Sequence, residues 1–205
     1  MTELVLVRHG ETVWHAENRY AGSSDVSLTD EGVAQAARLG EWARTAGLTA
    51  LWCSPASRAM RTAEPVSETT GLVPEVDPRL RELDFGKGEG RTVAELAADF
   101  PAAVEAFRRD PVTGHLPGGE DPHAAVERAV ECVRDIAAAE PAGRVLVVAH
   151  STLLRLVLCR LLGIPLRDYR RVFPSLRNTG LTVVRFEDGR AALLEFNCPL
   201  PSADR

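Results

Sequence analysis

The sequence predicts an α/β fold, a three-layer α/β/α sandwich around a mostly parallel sheet of about six strands with one antiparallel strand. Residues 4–7 and 145–149 are short, continuously apolar segments, which is typical of strands buried on both faces. Amphipathic segments with helical spacing lie between such strands. Because alternating strands and helices favour parallel pairing, these observations together indicate helices on both faces of one sheet.

In the first half of the chain, residues 4–7 predict the first strand and residues 50–53 a weaker second one. Thr29, followed by two acidic residues, predicts the start of a helix of about 17 residues. Ser54, followed by proline, predicts the N-cap of another helix that ends at Gly71.

In the second half, Thr92 and the glutamate three residues later form a capping-box pattern that begins a helix. Residues 122–139 keep one apolar helical face, and Ser151 is placed to cap the helix that follows strand 145–149. Residues 181–186 and 191–196 flank the turn sequence EDGR, which predicts a hairpin and the antiparallel contribution.

Residues 84–91 and 110–121 are irregular segments, and we expect both to lie as lids over the carboxyl ends of the strands. With no repeat and no low-complexity linker, residues 1–205 are predicted to form a single domain.

Composition excludes several classes of protein. With 24 basic and 29 acidic residues the net charge is −5, which disfavours an extended nucleic-acid-binding face. The four cysteines lack C-x-x-C spacing and are expected as core residues in a reducing compartment. Since residues 1–7 do not resemble a signal peptide and the most apolar helix, 153–162, contains two arginines, we expect a cytoplasmic protein without a membrane span.

Histidine and arginine side chains that are candidates for a functional site follow three predicted strands. His9 and Arg8 come at the end of the first strand, His150 comes directly after strand 145–149, and Arg58 lies one turn into the helix after strand 50–53. A single histidine at a strand end is more often structural, but these cationic groups would repel one another without an anion. Helix amino termini at the same edge would add N–H groups, so the sequence predicts a phosphate-type anion pocket.

These segments resemble the motifs of the histidine phosphatase superfamily, which has the phosphoglycerate-mutase-like fold. Within that superfamily, the chain resembles the phosphatase branch. The matching segments, in family order, are RHGET at 8–12, CSPASRA at 53–59, LRELDFG at 80–86, PGGE at 117–120 and VAH at 148–150. Together they span nearly the whole chain.

The resemblance implies a phosphomonoester hydrolase that acts on a small phosphorylated metabolite and requires no metal or cofactor. It implies that His9 is the nucleophile and becomes phosphorylated, that Arg8, Arg58 and His150 clamp the phosphoryl oxygens, and that Glu82 is the general acid and base. Neutral imidazole is nucleophilic near pH 7, and phosphoryl transfer depends mainly on positioning and charge.

Substrate contacts are expected beside these motifs, at His15, Arg19, Tyr20, Ala21, Gly22, Lys87 and Ser151. Three positions depart from common family residues. His15 stands where many members have asparagine, Gly88 where many phosphatases have tryptophan, and Ser151 where glycine is usual. These departures concern the substrate side of the pocket and leave the natural substrate open.

Three alternatives remain. A cofactor-dependent phosphoglycerate mutase is disfavoured by the short segment between the third and fourth motifs. A metal-dependent hydrolase using His9, Glu11, His15 and His150 lacks the spacing of the familiar zinc helix. A non-catalytic phosphate-binding regulator would not require all five predicted catalytic residues. The expected partner is a small phosphomonoester, and a homodimer is left open.

Overall fold

The computed structural model describes residues 1–187 and 189–201, and in this part the strands form one six-stranded sheet of order β3-β2-β4-β1-β5-β6. The strands are β1 (Thr2–Arg8), β2 (Ala50–Cys53), β3 (Pro74–Val76), β4 (Arg144–Ala149), β5 (Leu181–Glu187) and β6 (Arg190–Cys198). Within the described residues, β5 alone runs antiparallel to both of its neighbours. The predicted sheet is therefore confirmed, while Asp188 of the predicted turn lies outside the described residues.

Helices cover both faces of the sheet. They are α1 (Asp30–Ala43), α2 (Ser57–Thr70), α3 (Val93–Asp99), α4 (Pro101–Arg109), α5 (Pro122–Ala139), α6 (Ser151–Leu161) and α7 (Tyr169–Val172). Short 3₁₀ turns lie at Pro78–Leu80, Gly86–Gly88 and Leu166–Asp168.

The two faces have separate cores because side chains alternate along each strand. Leu4 and Leu6 of β1 pack with the apolar faces of α5 and α6. Val5 and Val7 pack on the other side with the apolar residues of α1 and α2. This alternation confirms the three-layer architecture.

Three predicted helix boundaries are confirmed. Thr29 caps α1 by accepting the N–H of Gly32, and Thr92 forms the complete capping box of α3. Gly71 ends α2 with a φ of 77°, a conformation that glycine adopts at little cost. Helix α1 has 14 residues, fewer than predicted, because the chain continues beyond Ala43 as tight turns.

Two predicted N-caps are wrong. Helix α2 begins at Ser57 with Ala56 as its N-cap. The hydroxyl of Ser54 accepts the N–H of Ala56 at 3.3 Å, before the helix begins, and is 2.7 Å from Nε2 of His150. Ser151 is the first residue of α6 rather than its cap, and the free N–H groups of that helix are bound from elsewhere in the chain.

The sheet brings the predicted catalytic motifs to one edge. In the register of β1 and β4, Arg8 lies opposite Ala149, and the N–H of His9 donates to the Ala149 carbonyl at 3.0 Å. On the other side of β4, the N–H of Ser54 donates to the carbonyl of Val148 at 3.0 Å. The residues that follow three adjacent parallel strands therefore meet at their carboxyl ends.

The four cysteines are free thiols, with Cys198 partly buried and the other three buried. Among the helices that the structure describes, none combines the length and apolarity needed to cross a membrane.

Candidate active site

His9 is buried at the end of β1, and its ring orientation is set by the backbone. Its Nδ1 donates to the carbonyl of Gly10 at 2.8 Å, which leaves the proton-free electron pair on Nε2. The backbone around it is anchored from two other segments, since the Gly10 N–H donates to Oγ1 of Thr62 and the side chain of Asn178 donates to the His9 carbonyl. The imidazole is thus held with one nitrogen available for chemistry.

Arg58 is almost completely buried, with 1% of its surface exposed. Its guanidinium donates to the carbonyls of Ser24 at 2.9 Å, Gly22 at 2.8 Å and Ala21 at 3.1 Å. These bonds fix the loop of residues 21–24 over the arginine. The loop is held from its other side by Glu89, whose carboxylate accepts the N–H of Gly22 at 2.9 Å.

Among the residues that the structure describes, five buried side-chain nitrogens have no hydrogen-bond partner, and three of them belong to the predicted phosphate clamp. These three are Nε of Arg8, Nε of Arg58 and Nδ1 of His150. When the hydroxyl of Ser54 donates to Nε2 of His150, the proton of that ring lies on Nδ1, so all three nitrogens are donors. Buried donors are normally satisfied, so these three nitrogens are available to an acceptor.

The electrostatics of the two buried histidines follow from their surroundings. Burial lowers the pKa of His9 well below its usual range, and the nearby His150, Arg8 and Arg58 lower it further. Burial, followed by the charges of Arg58 and Arg8, lowers the pKa of His150 in the same way. The ring centroids are 5.2 Å apart. Both imidazoles are therefore neutral at pH 7. Burial also lowers the pKa of Arg8, to about 10.

Glu82 occupies the amino terminus of α6. Its Oε2 accepts the N–H of Thr152 at 2.9 Å, and its Oε1 accepts those of Leu153 at 2.9 Å and Leu83 at 3.1 Å. We expected the N–H groups at this helix end to be free for the anion, and for Thr152 and Leu153 that expectation is wrong. The positive end of the helix holds the carboxylate instead, so that Glu82 faces the same cavity as His9.

The cavity at this edge has a volume of about 190 Å³. The predicted site residues that line it are Arg8, His9, His15, Arg19, Tyr20, Ala21, Glu82 and Ser151. Arg58 and His150 are buried beside it rather than on its open wall. A larger groove of about 950 Å³, lined by α1 and the segments 177–180 and 199–201, contains none of these groups.

His15 lies against the predicted clamp. Its Nε2 contacts the guanidinium of Arg8, its Nδ1 is 2.8 Å from the N–H nitrogen of Thr12, and its ring centroid is 6.0 Å from that of His9. Burial, and then the charge of Arg8, lowers its pKa.

The remaining predicted substrate contacts differ in placement. The guanidinium of Arg19 is paired with the carboxylates of Glu17 and Glu95, although the residue borders the cavity. Tyr20 packs its ring at 5.0 Å from that of Phe85, whose segment forms one cavity wall.

Gly22 and Lys87 do not line the cavity, so the structure gives no support to them as substrate contacts. Gly22 is required by space, because a Cβ there would lie 2.1 Å from the carbonyl oxygen of Leu83. Lys87 is exposed, and its backbone N–H donates to the carbonyl of Pro117. This bond joins the two irregular segments 84–91 and 110–121, of which only the first reaches the cavity, through Phe85.

Sequence reasoning missed several cavity residues. Arg155 and Thr152 of α6 and Tyr169 and Arg170 of α7 all line it. The signal for Arg155 is its charge within the most apolar helix, a position that also argues against a membrane span. The sequence pattern around Arg170 carries no comparable signal.

The alternative metal site is not assembled. Among residues 1–187 and 189–201, no group of three or more His, Cys, Asp and Glu side chains has the geometry to hold a metal ion. The carboxylate of Glu11, one of the candidate ligands, accepts the hydroxyl of Thr29 at 2.9 Å.

Comparison with known proteins defines the class. Residues 4–199 match the family model of the histidine phosphatase superfamily (branch 1). The chain belongs to this superfamily, and it is therefore an enzyme of the phosphatase and mutase kind. The predicted family and fold are confirmed.

Individual relatives carry both activities in their names. "Probable phosphoglycerate mutase GpmB" of Salmonella paratyphi B is 34% identical over 194 residues, covering 93% of this chain and 87% of that protein. The solved structure of Bacillus stearothermophilus YhfR has a TM-score of 0.91 at 31% identity and covers 97% of this chain and 98% of that one. The mycobacterial glucosyl-3-phosphoglycerate phosphatase complexed with VO3 has a TM-score of 0.88 at 31% identity, with 96% and 99% covered.

Proposed function

We propose that this enzyme hydrolyses the phosphomonoester of a small metabolite through a phosphohistidine intermediate on His9. The observation that carries the proposal is the set of three unpartnered buried donors, on Arg8, Arg58 and His150, beside a neutral histidine with one available nitrogen. A cavity of about 190 Å³ is smaller than the roughly 300–1,000 Å³ typical of drug-sized ligands, which favours a small substrate.

In the first step, the electron pair on Nε2 of His9 forms a bond to phosphorus while the bond between phosphorus and the ester oxygen breaks. Arg8, Arg58 and His150 donate to the phosphoryl oxygens and offset the charge that develops on them. Glu82, in its protonated form, gives its proton to the departing alcohol. The products of this step are the free alcohol, phosphorylated His9 and the Glu82 carboxylate.

In the second step, a water molecule attacks phosphorus and the bond between phosphorus and Nε2 breaks. Glu82 accepts the proton of the attacking water, so inorganic phosphate leaves and His9 returns to its neutral form. The three backbone N–H groups that bind Glu82 support this second role because they hold the carboxylate in one position as it accepts the proton.

The proposed chemistry uses no metal or cofactor, since the positive charge comes from Arg8 and Arg58 and the nucleophile is already uncharged. Phosphoglycerate mutase activity is the second candidate, and the names of the curated relatives favour it. A mutase would return the phosphoryl group to a second hydroxyl rather than to water.

The test is phosphate release by the purified protein from p-nitrophenyl phosphate and small sugar phosphates in the presence of EDTA, compared with interconversion of phosphoglycerates. We expect hydrolysis to exceed interconversion. Brief incubation with ³²P-labelled substrate should also leave acid-labile label on the protein, and His9→Ala should abolish both label and turnover.

The matched control is His123→Ala, which removes an exposed histidine on α5 and should keep both. Interconversion faster than hydrolysis would assign the enzyme to the mutase branch. Label that survives His9→Ala would exclude His9 as the nucleophile, and a complete absence of label and turnover would favour the non-catalytic alternative.

A further inference from the structure

Two arginines on the cavity wall, Arg155 and Arg170, have no part in the phosphoryl transfer proposed above. We propose that they form a subsite for a second anionic group, a carboxylate or a second phosphate, on the non-reacting part of the substrate. This inference rests on the proposed function and narrows its substrate class to small phosphomonoesters that carry two anionic groups.

The two arginines continue the positive charge of the phosphate clamp along one cavity. Arg155 and Arg170 line the same space as Arg8 and His9. Burial is the main cause that lowers the pKa of both Arg8 and Arg155. The charge of Arg155 lowers the pKa of Arg8 further, and the charge of Arg170 lowers the pKa of Arg155 further. A substrate phosphate at His9 and a second anion at these arginines would therefore be bound by adjacent parts of one positive field.

Aromatic rings and backbone carbonyls hold both guanidinium groups in place. Cζ of Arg155 lies 4.8 Å from the ring centre of Tyr169, and Cζ of Arg170 lies 4.3 Å from that of Phe107. Nε of Arg155 also donates to the carbonyl of Ser151 at 3.0 Å. Side chains held in this way lose little conformational freedom on binding a ligand, which raises the affinity of a subsite.

Neither arginine has an acidic partner in the part of the chain that the structure describes. Other partly buried arginines there do, since Arg19 pairs with Glu17 and Glu95, and Arg128 with Glu120. Glu82 of the same cavity acts electrostatically on Arg155, but the same carboxylate also acts on Arg8 and Arg58. Positive charge therefore exceeds negative charge among these groups, which is unfavourable for partly buried cations. An anionic ligand supplies the missing charge.

The chemistry of the subsite selects carboxylate or phosphate. A guanidinium group donates charge-assisted hydrogen bonds to the oxygens of these anions. In Arg155 and Arg170, Nε and Nη1 already donate within the protein, so Nη2 of each side chain is the donor left for a ligand. The cavity volume of about 190 Å³ favours a substrate in which both anionic groups lie on one short carbon chain. The alternative is a purely structural role, in which the two arginines only pack against Tyr169 and Phe107. In that case a second anion would not bind better than a neutral group.

Binding of phosphonates tests the subsite without turnover, because their carbon–phosphorus bond is not a phosphoester. Two matched pairs of compounds differ in the chain length between the phosphonate and the distal group. The shorter pair is 3-phosphonopropionate and 3-hydroxypropylphosphonate, and the longer pair is 4-phosphonobutyrate and 4-hydroxybutylphosphonate. In each pair a carboxylate is replaced by a neutral CH₂OH group. By isothermal titration calorimetry, we expect the carboxylate to bind about 10- to 100-fold more tightly in at least one pair, as for charge-assisted hydrogen bonds.

Arg170→Gln should reduce this preference to about 2-fold or less, since a full charge is lost. Arg155→Lys, which keeps the charge and loses the planar guanidinium group, should reduce it partly and serves if the first variant does not fold. The matched control is Arg171→Gln, which removes an exposed arginine of the same helix that is paired with Asp168, and it should retain the preference.

Equal affinities within both pairs, or a preference that survives Arg170→Gln, would overturn the subsite. Hydrolysis of p-nitrophenyl phosphate by the same preparation tests the proposed function separately. A protein that prefers the carboxylates but releases no phosphate would keep the subsite and refute the hydrolase. A protein that releases phosphate without any preference would refute only the subsite.

Discussion

Replacing Glu82 with glutamine tests the geometry of the site and the proposed mechanism together. The carboxylate accepts three backbone N–H groups on its two oxygens, and two of these come from the first turn of α6. Glutamine has one acceptor oxygen, so its NH₂ group must face at least the N–H of Thr152. Both groups are donors, and a buried hydrogen bond is lost.

The expected loss of stability follows from these contacts. A hydrogen bond to a charged acceptor contributes about 1.5–3 kcal/mol, and a negative charge at a helix amino terminus about 0.3–1 kcal/mol. We therefore expect the free energy of unfolding of Glu82→Gln to fall by about 2–4 kcal/mol, measured by urea denaturation. Glu127→Gln, which removes an exposed carboxylate of α5 that pairs with Arg160 on the surface, should change it by less than about 1 kcal/mol.

The kinetic effect should depend on the leaving group. Without an acid, hydrolysis of an alkyl phosphate should slow by about 10²–10⁴-fold, because the departing alkoxide needs a proton. p-Nitrophenolate leaves without one, so the first step should proceed and the second, which needs the base, should become limiting. Stopped-flow measurement should then detect a burst of p-nitrophenolate equal to the enzyme concentration. Equal losses for both substrates without a burst would refute the assignment of Glu82 as acid and base.

Two further predictions concern His150 and Gly22. Because burial holds the pKa of folded His150 below the ordinary histidine value of about 6.5, the unfolded chain binds a proton that the folded chain does not. The free energy of unfolding should therefore fall as the pH drops below about 6.5, by about 1.4 kcal/mol per pH unit for this residue. For His150→Asn, the free energy of unfolding from urea denaturation in phosphate-free buffer should depend on pH less steeply than for the unchanged protein, by the same amount. An unchanged slope would contradict the prediction. Gly22→Ala should lower kcat/KM for p-nitrophenyl phosphate about 10-fold or more, because its Cβ would lie 2.1 Å from the Leu83 carbonyl and displace the loop that binds Arg58. Gly47→Ala, where the new Cβ meets no atom within 4 Å but the φ of 67° strains the backbone before β2, controls for a loss of stability alone and should keep kcat/KM.

Local patterns were sufficient for most of the fold. The apolar composition of β1 and β4 predicted their burial on both faces, and the caps at Thr29 and Thr92 set helix starts correctly. Such signals are reliable because they depend on residues within one turn or one strand. Where a cap required knowledge of a distant partner, as at Ser54, the prediction was wrong.

By itself, the sequence determined that His9, Arg58 and His150 follow parallel strands, and hence that they lie at the same edge of the sheet. The strand order, which makes β2, β4 and β1 neighbours and so brings these residues together, was decided by the tertiary structure. Only the tertiary structure decided that Glu82 binds the amino terminus of α6 and that Arg155 and Arg170 enter the same cavity. Those contacts join segments far apart in the chain, and their geometry depends on how helices pack across the sheet, which local periodicity does not encode.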